Sequence, residues 1–194
     1  MGQGVSELPA GERLGYEADM FEGWENFYLI VGPSAAALIG LVFVVVTLTA
    51  GRQRDDTERG KHLYTSPIVW HLGVVLVLSG AAIAPTITAR VFGIAAGALA
   101  LLGLALGVRS AVGIARFRIT GADSLFDMWW YGIIPGAVYV GLGGAAVAVL
   151  RGCSWSASAV AAALMALLLV SIHAEWDLIT FLAPMAGPGD RNSR

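Results

Sequence analysis

The segment SIHAEWDLITFLAP, Ser171 to Pro184, decides how the rest of the chain is read. It places one histidine and two carboxylates in the second half of an apolar stretch that begins near Ala157. Ionisable groups inside a membrane span are expensive and mark functional-site candidates by default. His173 and Asp177 are four residues apart and share one helix face, while Glu175 points almost the opposite way. A helix with charge-capable groups on opposing faces cannot turn either one comfortably to lipid. This segment is therefore expected at the centre of a bundle, wrapped by other helices or by a second copy of the chain.

The composition makes the same case. Of 194 residues, 57% are hydrophobic and only 13% charged, and the mean hydropathy is +0.72. Soluble domains carry about 25% charged residues, so the expected fold class is all-α, a polytopic membrane bundle. Five transmembrane helices are expected, at approximately 27–50, 64–87, 91–108, 128–150 and 156–184. They form one domain over residues 26–184, between an acidic N-terminal segment (1–25) and a short tail (185–194).

The first 25 residues hold six acidic groups and one basic group, Arg13, so no positively charged leader precedes an apolar core. Tyr16, Met20, Trp24 and Phe27 recur at helical spacing, which fits an amphipathic lead-in or a solvated tail ending in an aromatic anchor. Pro33 is expected to bend the first span. Gly51 to Leu63 reads as a basic loop, and Ser66-Pro67 as the entry to the second span, with Pro at the first helical position. Arg109 closes the third span, and Pro135 is a kink candidate in the fourth. Two G-x-x-x-G spacings, Gly93-Gly97 and Gly103-Gly107, allow close backbone approach.

Charge gives the orientation. The loop after span one, the loop after span three and the C-terminal tail hold nine Lys/Arg, while the N-terminal segment and the other two turns hold one each. The positive-inside rule then puts the N-terminus outside and the C-terminus in the cytoplasm. At about 1.5 Å per residue, His71 and Asp177 fall roughly 10 Å inside the cytoplasmic edge, and His173 roughly 16 Å. The expectation is a polar cluster in that half of the bilayer: His71, His173, Asp177 and Glu175, with Arg109 pairing Asp127 near the headgroups.

Three roles fit such a cluster. It can act as interhelical glue, as a titrating or ion-conducting site, or as a metal site built from two histidines and a carboxylate. No H-x-x-x-H or H-E-x-x-H spacing accompanies it, which counts against the metal reading. Trp24, Trp70, Trp129, Trp130, Trp155 and Trp176 are expected as interface anchors. The single cysteine, Cys153, excludes an intrachain disulfide and reads as a small residue in a turn. No nucleophile elbow, phosphate loop or dinucleotide fingerprint is present, no cofactor is expected, and the basic loops are too short for nucleic acid.

Three stretches together resemble a family of small bacterial five-span inner-membrane proteins: GWENFYLIVGPSAAALIGLVFVVVTLT (Gly23–Thr49), TSPIVWH (Thr65–His71) and IHAEWDLIT (Ile172–Thr180). The second is similar to that family's T-P-T-[IV]-V-H-F stretch, with the histidine one place later. The third is similar to I-H-N-A-W-D-x-[VI]-T, with Ala174-Glu175 standing where the family has Asn-Ala. The resemblance implies His173, Trp176, Asp177 and His71 as shared positions, and it leaves Glu175 outside the shared pattern. Some relatives carry the label of modulator of the membrane protease FtsH. The expected function is a non-enzymatic membrane module acting through self-association or membrane-protein partners, with a small channel or transporter, or a metal-binding membrane protein, as alternatives.

Overall fold

The computed structural model describes residues 21–49, 55–117 and 129–182. Its elements are helices α1 (Glu25–Thr49), α2 (Asp55–Ile83), α3 (Ala89–Phe117), a π-helical turn (Trp129–Ile133), α4 (Ile134–Leu150) and α5 (Ser156–Leu182). The described residues contain no strand, as uninterrupted apolar runs in a bilayer require, because only a helix satisfies its own backbone there.

The surface is what water would not allow. Leu29, Ile30, Phe43, Ile94, Leu101 and Leu169 all point outward, each more than half exposed. Exposed apolar area of this extent marks a protein solvated by lipid. Three apolar segments are long enough to cross a bilayer: Glu25–Thr47, Ala89–Arg109 and Ser156–Thr180. The apolar parts of the other two helices, Pro67–Ile83 and Ile134–Leu150, are shorter. At 1.5 Å per residue they measure about 26 Å.

Inside, each helix buries one stripe at helical spacing: Tyr28, Val31, Ala35 and Val42 on α1; Ile68, Leu72, Val75 and Leu78 on α2; Phe92, Ala96 and Ala100 on α3. Helix α4 contributes Tyr139, Leu142, Ala146 and Val149, and α5 contributes Val160, Leu164 and Leu167. Helix α1 runs along α2 and α3 along α4, while α5 packs against α4, α2 and α1. The enclosure of α5 expected from its charges is observed: 56% of its apolar window is buried, against 22% for α1 and 28% for α3.

Several helix ends differ from the sequence expectation. Helix α2 starts at Asp55, so the second half of the basic loop is its opening turns. Pro67 thus lies well inside the helix, at the junction between its charged start and its apolar part, and leaves the Leu63 carbonyl without its helical donor. Helix α3 runs past Arg109 to Phe117, because no proline follows the arginine and a single glycine, Gly113, is tolerated. Pro135 does not kink a span; it stands in the first turn of α4. Lacking an N–H, it cannot close an α-helical bond to the Tyr131 carbonyl, and the π turn lies immediately before it.

Two connections fix the helix pairs. Between α2 and α3, Ile87 N–H bonds the Ala84 carbonyl and the Thr88 hydroxyl caps the Val91 N–H. After α4, Gly152 adopts φ +67°. Its N–H bonds the Val149 carbonyl, and Cys153 N–H reaches back to Ala148, the paired bonds of a Schellman cap. Cys153 is the turn residue the sequence suggests. At the start of α1, Phe21 sets its ring 5.4 Å from Tyr28 and 4.7 Å from Phe92, tying the entry of α1 to α3.

The positive φ at Gly152 disfavours any side chain by about 1–2 kcal/mol. Gly152→Ala is expected to lower stability by about 1 kcal/mol, read as a reduced midpoint of thermal unfolding in detergent. An unchanged midpoint would show that this cap does not hold α4 to α5.

Candidate functional site

The best-defined polar contact joins α2 to α4. His71 lies on the buried stripe of α2, between Ile68 and Leu72 on one side and Val75 on the other, and is itself buried. Its Nδ1 sits 2.6 Å from the Tyr139 hydroxyl, with ring centroids 5.4 Å apart. With Nδ1 unprotonated the tyrosine O–H donates; with Nδ1 protonated the ring donates to the phenolic oxygen. The Trp70 indole also lies near the Tyr139 hydroxyl, but its buried Nε1 does not reach hydrogen-bond geometry.

Helix α3 makes room for this contact. A Cβ built on Gly103 would overlap the Tyr139 ring, so only glycine lets the tyrosine lie flat on α3 while its hydroxyl reaches α2. Residues from three helices therefore meet at one place: His71, Gly103 and Tyr139. The other G-x-x-x-G pair also works within the chain, since a Cβ on Gly93 would come within 2.8 Å of Leu150. Gly107, by contrast, has open space.

The groups on α5 divide by face. His173 Nε2 and Asp177 Oδ2 are 3.5 Å apart, with side chains 38% and 42% exposed. That is ion-pair distance, although Nε2 makes no hydrogen bond. Trp130, from the π turn, lies over the imidazole with centroids 4.0 Å apart and planes tilted by 32°. The i, i+4 face read from the sequence is thus real, but it is half open rather than enclosed. Glu175 occupies the opposite, closed face at 5% exposure.

No direct bond joins the members of the expected cluster across helices among the described residues. Among the described residues, His71 takes Tyr139 as its polar partner, not His173 or Asp177. No three His, Cys, Asp or Glu side chains come together there as a metal site would require. Arg109 is exposed on α3, and Asp127 lies outside the described residues. Of the tryptophans, Trp129, Trp155 and Trp176 point outward as anchors should. Trp24 is half-buried and packs edge-on against Phe27, while Trp70 and Trp130 pack beside Tyr139 and His173.

Hydroxyls in the spans mostly bond their own helix. Ser34, Thr47, Ser171 and Thr180 donate to carbonyls three or four residues back, the usual outlet for Ser and Thr in a helix. Tyr139 is the functional candidate that sequence reasoning missed. A phenol ten residues beyond Trp129 in an uncharged stretch needs a buried partner, and that need was the available signal. Comparison of the chain with protein-family models, curated proteins and solved structures finds no match.

Removing the hydroxyl alone leaves the His71 nitrogen unpaired. Tyr139→Phe is expected to cost about 1–2 kcal/mol. Gly103→Ala, which forces the ring aside, is expected to cost about 1–3 kcal/mol. Combining Gly103→Ala with Tyr139→Phe should cost less than the sum, measured by thermal unfolding in detergent. Strict additivity would show that Gly103 and the hydrogen bond are unconnected.

Proposed function

We propose that this chain is a non-enzymatic five-span membrane module that acts through self-association or through membrane-protein partners. The observation that carries the reading is the outward face of α4. Ala137, Val140, Gly141, Gly144 and Val147 lie along it, all exposed, and among the described residues no atom beyond the local helix lies within 4 Å of where a Cβ on Gly141 or Gly144 would stand. Helix α1 presents a similar strip in Pro33, Ala36, Ala37 and Gly40. Small residues on a lipid-facing helix let a second helix approach closely. The glycines of α3 differ, because Gly93 and Gly103 are already occupied by α4.

Five crossings are supported by the uncharged π turn, which lengthens the apolar path of α4 to Trp129–Leu150, about 33 Å at helical rise. In α2 the apolar segment continues a longer helix, so its polar turns reach the headgroup layer. The short α2–α3 and α4–α5 turns return the chain to the side it came from. The nine-to-three division of Lys/Arg supports an external N-terminus and a cytoplasmic C-terminus in a bacterial inner membrane. The His71–Tyr139 contact between α2 and α4 fits polar glue within such a module.

Blue-native electrophoresis and crosslinking in native membranes test the reading. The wild type is expected to run as a complex, and Gly141→Leu with Gly144→Leu to shift it toward the monomer. Both positions face open space, so the fold tolerates the change. A wild type that is strictly monomeric and captures no partner overturns the proposal.

A further inference from the structure

Glu175 is the one described carboxyl that is both buried and without a bonded partner at Oε1. It faces the seam between α1 and α5, in a crevice lined by Leu41, Val42, Val45, Leu178 and Ile179. Every one of those neighbours is aliphatic, and the space is too narrow to hold a water molecule. On its own helix, His173 and Asp177 lie on the other face and are occupied with each other. On α2 and α4, the titratable side chains described within the bundle are His71 and Tyr139, which are bonded together. Helix α1 offers the crevice no titratable or charged group.

An ionised carboxylate in that position would have no cation among the described side chains and no donor at Oε1. Such a burial costs far more than that of a neutral acid. A metal ion or an ammonium group has no room without parting α1 from α5. We propose that Glu175 is a buried proton-binding site, its carboxyl holding a proton while the α1–α5 seam is closed. The proton is the one cation small enough for the site. This holds whether the chain acts alone or with partners.

A neutral carboxyl in an apolar seam has its own chemistry. A hydrophobic carbodiimide partitions into the lipid and reaches it when the α1–α5 seam parts. The acid proton moves to one carbodiimide nitrogen as the carboxyl oxygen adds to the central carbon, giving an O-acylisourea. Acyl transfer to nitrogen then leaves a stable N-acylurea, with the whole reagent added and nothing released.

The test is infrared spectroscopy of the full chain in bilayers at neutral pH. The wild type is expected to show a carboxylic-acid C=O stretch that Glu175→Gln removes and Glu175→Asp retains at a shifted position. Wild-type and Glu175→Gln spectra that superimpose in this region overturn the proposal. If Glu175→Gln fails to fold, labelling of the wild type with N,N′-dicyclohexylcarbodiimide, mapped by peptide mass, decides. A label on Glu175 supports the site, and labelling confined to other carboxyls overturns it.

Discussion

A bilayer offers no hydrogen bonds, and the bundle depends on how it meets that constraint at His71. The imidazole is carried on the buried stripe of α2, and its partner must come from another helix. Tyr139 supplies it from α4 at 2.6 Å, and Gly103 on α3 clears the path for the ring. One contact thereby sets the spacing of three helices. Its net worth is modest, about 0.6–1.7 kcal/mol for a typical interhelical bond in a membrane. The cost of leaving either group unpaired is what makes it specific. Apolar packing among Leu, Val and Ala tolerates many registers, whereas this contact allows one.

Helix α5 shows the same constraint resolved in two ways. On one face, His173 and Asp177 answer each other and remain half open, with Trp130 covering the imidazole. On the other, Glu175 is closed against α1 among aliphatic side chains. The difference follows from the packing: α5 is held by α1, α2 and α4, and the turn before α4 brings Trp130 across the His173 face. Polar chemistry thus sits at the margin of the bundle as well as inside it, and the small-residue faces of α1 and α4 lie outward.

The apolar runs made the helical class legible, because long uncharged segments in a bilayer have one backbone solution. The central place of α5 was legible too, from carboxyl and imidazole groups on opposing faces. Helix ends were less so. Asp55 to Lys61 looks like a loop by charge and by its Asp, Thr and Gly content, yet it continues α2, whose apolar part carries the helix back into these turns. Pro135 resembles a kink until the helix is seen to begin beside it. The partner of His71 was misjudged for a physical reason: depth in the membrane was inferred, but rotation about the helix axis was not. His71 and His173 can share a depth and still face different neighbours. Tyr139, an uncharged phenol, drew less notice than a carboxylate, though its hydroxyl carried the same need for a partner.

The account rests on the bond between His71 and Tyr139, and nitrogen NMR on the chain in bilayers examines it directly. With 15N-labelled histidine, the three histidines give resolvable ring signals, and His71→Gln assigns one set. Tyr139→Phe is predicted to displace the Nδ1 resonance of His71 and to leave the His173 signals in place. A His71 signal that does not move, or that moves only together with His173, would contradict the arrangement described here.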